Sequence, residues 1–146
     1  MALKVELKPG ERIILGDSVV TNGNQRTRLT IPGHSPILRE KDILTAETAD
    51  TPAKRLYLAV QLMYLSNDVA KLKDDYFALV KDIVRAAPST LSIVDRVNHN
   101  ILTGALYKAL KEAKTLIAYE GELLDDAQRG TDVHAHGEGY DRSARA

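Results

Sequence analysis

The chain has 146 residues, 44% of them hydrophobic, which is enough to bury the core of one compact unit or of two small modules. Lysine and arginine together number 20, as do aspartate and glutamate, so the net charge is zero and excludes a global basic field for nucleic acid or membranes. The absence of cysteine excludes disulfides, thiolate metal sites and thiol catalysis.

We expect neither a signal peptide nor a membrane span. The N-terminal stretch MALKVELKPGE alternates apolar and polar residues, whereas a signal peptide has an uninterrupted apolar segment. The densest apolar run, at residues 56–65, contains Gln61 and is about half of the ~20 residues that a membrane helix requires. We therefore expect a soluble cytoplasmic protein without membrane contacts.

Residues 1–44 predict a small antiparallel sheet of about five strands. Apolar and polar residues alternate in LKVELK and again in RTRLTI, and prolines and glycines separate the runs. The stretch Asn22-Gly23-Asn24 predicts a tight hairpin turn, because Asn and Gly tolerate the positive φ that such turns need. So small a sheet needs a cover, either the chain's own helix at residues 52–65 or a second subunit.

Residues 51–124 predict a bundle of about four helices, and the fold class is therefore α+β. Thr51 is the predicted N-cap, and Pro52 follows it at the first helical position. The first helix, to about Leu65, is apolar nearly all round and should be central. The other helices are predicted at about 68–86, from a cap at Ser89 or Thr90 to about 98, and at about 102–124. The apolar seam of the last helix suits a bundle core or a partner helix.

Residues 125–146 predict a disordered tail, because they have no apolar period and contain several glycines. We expect truncation after Asp126 to leave folding and binding intact. His134 and His136 have the spacing of metal ligands, but a flexible tail rarely makes a dedicated metal site. We expect no metal, no cofactor and no catalytic residues, since no nucleophile elbow or phosphate-binding glycine loop occurs.

Four blocks of sequence carry a resemblance to a known family. They are LKPGERIIL, LREKDIL, TPAKRLYLAVQLMYL and YKALKEAKTLIAYE. In this order and spacing they resemble the FlbT family of alphaproteobacterial flagellar regulators. The resemblance implies a post-transcriptional regulator of flagellum biogenesis that binds the 5′ leader of flagellin messenger RNA and alters its translation or decay. It also implies a FlaF-like small flagellar protein as a partner.

Residues 3–43 are also similar to a shortened CsrA-type RNA-binding sheet. The similarity lies in KPGERIILGDSV, GNQ and IPGHSPILREKDI. In that family an arginine of the last strand and the first strand of the other subunit grip a GGA-containing RNA loop. The resemblance therefore implies that Arg39 reads single-stranded RNA through its planar donor fork, oriented by Glu40 and Asp42. The candidate RNA-binding residues are Arg39, Lys4, Val5, Lys8, Arg26, Arg28, His34 and Lys41.

A structural role for Arg39 stays equally open, in which it pairs with Glu40, Asp42 or Asp17 and closes the junction between sheet and helices. Residues 1–44 contain seven Lys or Arg against five Asp or Glu, which is weak evidence for an RNA footprint. All seven aromatic residues lie at or after Tyr57, so the sheet itself lacks a stacking platform.

An alternative function is that of a protein-interaction adaptor or chaperone-like factor in flagellar assembly. It would bind flagellin or a small flagellar regulator through its helices, whose apolar surface exceeds what a small sheet can cover. The open first strand and the helical seam also predict a homo-oligomer, most simply a two-fold dimer.

Overall fold

The computed structural model describes the backbone of residues 2–135 and the side chains of residues 3–129. Within that range five strands precede four α-helices, which confirms the predicted α+β class. The strands are β1 (Ala2–Leu7), β2 (Arg12–Leu15), β3 (Ser18–Thr21), β4 (Thr27–Pro32) and β5 (Ile37–Arg39). The helices are α1 (Pro52–Ser66), α2 (Val69–Ala86), α3 (Leu91–Leu102) and α4 (Leu106–Ala135), with 3-10 turns at Glu40–Asp42 and Pro88–Thr90.

The five strands form two antiparallel sheets. One contains β1 and β4, and the other has the order β3-β2-β5. The predicted hairpin at Asn22 is wrong, because β3 and β4 belong to different sheets. The Asn22 side chain instead donates hydrogen bonds to the carbonyl oxygens of Lys8 and Gln25, both at 2.8 Å. These bonds hold the crossover between the sheets.

The two sheets bury a small core between them. Val5, Leu7 and Ile13 are its buried residues, and half-buried aliphatic side chains of β3, β4 and β5 pack around them. The expectation that α1 covers the sheet is therefore only partly met. Within the described residues the sheets cover each other, and the strands meet the helical core mainly at Leu38 and Ile14. Two small sheets provide the apolar cover that one thin sheet lacks.

Helix α1 is the centre of a second, larger core. Leu56, Val60 and Met63 have no exposed side-chain surface, and α1 packs against both α2 and α4. The Thr51 hydroxyl accepts a hydrogen bond from the Lys54 amide, so the predicted cap and the proline behind it are confirmed. A helix that is apolar on most sides is stable only when neighbours surround it, as they do here.

Polar contacts join the sheet to the helices. The Tyr64 hydroxyl accepts a hydrogen bond from the Ile37 amide and donates one to the Ile37 carbonyl oxygen, at 3.0 and 3.1 Å. The buried Gln61 amide forms two hydrogen bonds of 2.9 Å with the backbone of Leu44. Gln61, which interrupts the apolar run of α1, thus fixes the short segment that leads from the sheet into the bundle.

Helix α3 begins directly after Thr90, as predicted, but it ends at Leu102 rather than at about residue 98, and α4 begins at Leu106 rather than at about residue 102. Thr90 does not cap α3 with its side chain; its hydroxyl donates back to the Ala87 carbonyl oxygen at 2.7 Å. Helix α4 continues to Ala135, so the predicted disordered tail cannot begin at residue 125. Asp and Ala residues in this stretch are compatible with helix even without an apolar period. The side chain of His134 and all of residues 136–146, including His136, lie outside the described residues.

Candidate nucleic-acid interface

Arg39 lies at the end of β5, beside the first strand of the same chain. Its Nη2 donates hydrogen bonds to the Glu6 carbonyl oxygen at 2.6 Å and to Glu11 Oε2 at 3.2 Å. Within residues 3–129 its Nε and Nη1 atoms make no hydrogen bond, and the side chain is 38% exposed. One corner of the guanidinium therefore holds the strands, while the other donors remain available to a ligand.

The predicted partners of Arg39 are wrong. Glu40 pairs with Arg12, whose Nε lies 2.9 Å from Glu40 Oε1, and Asp42 pairs with Lys114 of α4. The partner of Arg39 is Glu11, whose carboxylate also accepts the Lys8 amide. The Lys8 bond, followed by Arg39, lowers the pKa of Glu11 although desolvation opposes the shift. Glu11 is therefore ionised at neutral pH and orients the arginine.

Five of the eight predicted residues line one cleft, which lies between the strands and the helices. They are Lys4, Val5, His34, Arg39 and Lys41. The cleft has a volume of about 530 Å³, and Tyr64 and Tyr107 form its helical wall. Lys4, His34 and Lys41 are exposed, whereas Val5 is buried and contributes packing rather than a polar contact.

A second cavity of about 460 Å³ adjoins this cleft and shares Lys41, Asp42 and Tyr107 with it. It adds Lys111 and Lys114, both exposed on α4. We call the two cavities together the basic cleft. Its lining contains five Lys or Arg residues and one carboxylate, which are Lys4, Arg39, Lys41, Lys111, Lys114 and Asp42.

The other three predicted residues do not line the basic cleft. Lys8 lies at the turn after β1. Arg26 is paired with Glu6, with Nη1 and Oε1 2.8 Å apart. Arg28 is exposed on β4, where it lies opposite Glu6 of β1. Glu6 therefore pairs with Arg26, which weakens the potential of that arginine for phosphate.

The sequence prediction missed the helical side of the site. Tyr107, Lys111 and Lys114 follow one another at i, i+4 and i+7 on α4, so they share a helix face. Tyr107 is 46% exposed, and the Lys111 ammonium lies 5.1 Å from the centre of its ring. The helical spacing of these residues was visible in the sequence, but their position beside the sheet depends on the tertiary fold.

Tyr57 closes the floor of the cleft and is not a titrating group at neutral pH. Its hydroxyl donates a hydrogen bond to the Asp42 carbonyl oxygen, and burial raises its pKa above the ordinary range. Among residues 3–129, no group of three or more His, Cys, Asp or Glu side chains has the arrangement of a metal site. None of the described helices has the length and apolar character that crossing a membrane requires.

Comparison with known proteins identifies the family. A family model described as "Flagellar protein FlbT" matches residues 3–124. The chain is 63% identical over 124 residues to the "Probable flagellum biosynthesis repressor protein FlbT 1" of Bradyrhizobium diazoefficiens, covering 84% of this chain and 85% of that protein. It is 54% identical over 124 residues to the "Probable flagellum biosynthesis repressor protein FlbT" of Rhodopseudomonas palustris, covering 85% and 98% of the two chains.

A more distant relative is the "Flagellum biosynthesis repressor protein FlbT" of Caulobacter vibrioides, 32% identical over 133 residues, which cover 89% of this chain and 94% of the relative. No solved structure matches the chain. The matched range includes all five strands except Ala2, the first residue of β1. It also includes helices α1 to α3 and the first part of α4, so it contains the whole basic cleft. This chain therefore belongs to the FlbT family of flagellar proteins.

Proposed function

We propose that this chain is a regulator of flagellum biogenesis that acts after transcription, by binding the 5′ leader of flagellin messenger RNA and altering its translation or stability. The names of the relatives, which describe flagellum biosynthesis repressors, support the regulatory part of the proposal. The activity is one of binding, not of enzymatic catalysis, and it takes place in the cytoplasm. The RNA target comes from the resemblance of the sequence to FlbT and CsrA-type regulators.

The observation that carries the proposal is the local charge of the basic cleft. A chain with no net charge gathers five cationic side chains and one carboxylate in one concave surface. Asp42 neutralises Lys114, and Glu11, which lies outside the lining, pairs with Arg39. The other three cations of the cleft form no ion pair with the described residues, and they are Lys4, Lys41 and Lys111. Phosphate neutralisation by such lysines is the main source of affinity for RNA.

The test is binding of the full-length chain to a flagellin leader RNA at several salt concentrations. For single-stranded RNA each phosphate contact contributes about 0.7 to the slope of log K against log salt. Lys41→Gln and Lys111→Gln should each weaken binding and lower that slope by roughly this amount. Lys81→Gln on α2 is the matched control, because Lys81 is exposed and lies outside the cleft.

Binding that is absent, or that shows no salt dependence, would contradict the proposal. Binding that Lys81→Gln weakens as much as Lys41→Gln does would show that the cleft is not the RNA site.

An adaptor function is the second candidate, and an apolar groove at the far end of the bundle favours it. The groove has a volume of about 530 Å³ and lies where the start of α1, the end of α2 and α4 meet. Its lining includes Ile83, Leu123 and Leu124, and Leu124 is 56% exposed. Exposed apolar surface of this kind is typical of protein contacts. A FlaF-like protein or flagellin remains the proposed partner, and titration calorimetry with either purified protein tests it.

Homo-oligomer formation also remains a proposal. In this structure β1 pairs with β4 of its own chain and leaves its other edge open among the described residues. Sedimentation at micromolar concentration should show a dimer. A sedimentation profile that contains only monomer would contradict the prediction.

A further inference from the structure

We propose that Tyr107 is the residue on which an unpaired RNA base stacks. This inference rests on the proposed RNA-binding function and specifies the class of RNA as one with an unpaired nucleotide at the cleft. Tyr107 lies in the first turn of α4 and lines both cavities of the basic cleft, and a third cavity beside His34 as well. Its ring therefore stands where the strand side and the helix side of the surface meet.

The ring of Tyr107 packs against a neighbour that is itself fixed. Its centre lies 5.7 Å from that of Tyr64, with the planes inclined by 46°. Tyr64 is held in turn by its two hydrogen bonds to the backbone of Ile37 in β5. A rigid, half-exposed ring with its position set by a second ring is suited to stacking, since little side-chain freedom remains to be lost on binding.

The hydroxyl of Tyr107 does not account for its position. Within residues 3–129 it makes no hydrogen bond, whereas the hydroxyls of Tyr57, Tyr64, Tyr76 and Tyr119 each have a protein partner. The ring is also not part of the buried core, because 46% of the residue is exposed. An exposed aromatic residue among cations, with a free hydroxyl and a supported ring, has the features of an aromatic platform for bases.

Lys111 currently occupies part of the ring surface, with its ammonium 5.1 Å from the ring centre. A cation over an exposed ring is held more weakly than a stacked base. A base can therefore replace the ammonium, and Lys111 is then free to contact the phosphate of the same or the next nucleotide. Arg39 and Lys41 across the cleft can neutralise the phosphate on the other side.

This arrangement selects single-stranded RNA. In a duplex the faces of the bases are covered by their neighbours, and only an unpaired or terminal base can lie on a side-chain ring. The strands lack aromatic residues altogether, so Tyr107 supplies from the helical region the stacking surface that the sheet does not have.

The experiment compares Tyr107→Phe with Tyr107→Leu in the full-length chain. Phe keeps the ring and Leu keeps an apolar side chain of related size at an exposed position, so both should melt close to wild type. The probes are the flagellin leader RNA, with 2-aminopurine replacing single adenines in turn, and the same RNA annealed to its complement.

We expect Tyr107→Phe to bind the leader within about twofold of wild type, and Tyr107→Leu to bind it roughly 5- to 150-fold more weakly. The salt slope should be the same for all three proteins, because neither variant removes a charge. At one 2-aminopurine position wild type and Tyr107→Phe should change the fluorescence, and Tyr107→Leu should not. The annealed duplex should bind weakly to all three.

Wild-type affinity of Tyr107→Leu for the leader would overturn the stacking role and leave the proposed RNA-binding function standing. Equal affinity for leader and duplex would overturn the selection of an unpaired base. Failure of the wild-type chain to bind the leader at any salt concentration would instead overturn the proposed function, and this inference with it.

Discussion

Replacement of Gln61 by leucine tests how the sheet is attached to the helices. Gln61 is 4% exposed, and its amide both donates to the Leu44 carbonyl oxygen and accepts from the Leu44 amide, each at 2.9 Å. Leucine fills a similar volume but supplies neither bond. The variant therefore leaves a backbone donor and a backbone acceptor without their partners at the junction of the two regions.

The expected loss of stability follows from those two groups. An unsatisfied buried group costs about 1–3 kcal/mol, and Leu44 is only half-buried, so water recovers part of the loss and we expect about 2–3 kcal/mol in total. For a chain of this size each kcal/mol shifts the melting temperature by about 2–4 °C, which gives a decrease of about 4–12 °C.

Thermal melting and urea unfolding, both followed by circular dichroism, measure this change. Leu62→Gln is the matched control, because Leu62 is the next residue of α1 and is 44% exposed. The control should change the stability by no more than about 0.5 kcal/mol. A Gln61→Leu variant that melts with wild type would refute the reasoning, since the two hydrogen bonds would then contribute nothing.

Three further predictions concern other residues. Arg39→Ala should lower the melting temperature by removing the contacts with Glu11 and with the β1 backbone, and should weaken RNA binding by about 1–3 kcal/mol. Arg39→Lys should not restore the affinity, because lysine lacks the planar donor fork. A destabilised variant that binds RNA with wild-type affinity would show that Arg39 is purely structural. Met63→Ala should cost about 2–5 kcal/mol in urea unfolding, because Met63 is completely buried, and a smaller loss would mean that the core collapses around the gap. Burial raises the pKa of Tyr76 above 10.0, so its protonated form contributes stability that is present below about pH 10 and is lost as the pH rises further. Between about pH 9 and about pH 11 the Tyr76→Phe variant should therefore lose less stability than the wild-type protein, and equal losses would contradict this.

The elements of the fold were largely predictable from the sequence, because local patterns determine them. Alternation marked the strands, and the cap at Thr51 with Pro52 marked the start of α1. The pairing of the strands was not predictable in the same way. Asn22-Gly23-Asn24 has the composition of a hairpin turn, but the contacts of the Asn22 side chain with Lys8 and Gln25 stabilise a crossover instead.

The candidate site was predictable only on the strand side. Lys4 and Arg39 came from the resemblance to RNA-binding regulators and Lys41 from the basic residues of the first 44, and the structure gathers all three in one cleft. Tyr107 and Lys111 were not among the predicted site residues, because no local pattern shows that the first turns of α4 face β5. The side-chain pairs of the charged stretch after β5 were also unpredictable, since Glu40 and Asp42 pair with residues distant in sequence.

The hydrogen bond between the Ala53 amide and Glu120 Oε2, 3.0 Å long, has a consequence for the order in which the chain forms during synthesis. Among the described residues all strand pairs lie between residues 2 and 39, so both sheets can close soon after they leave the ribosome. The Ala53 amide at the start of α1 gains its hydrogen-bond partner only after Glu120, 67 residues later, has been synthesised. The nascent chain therefore carries finished strands well before α4 supplies the remaining wall of the basic cleft.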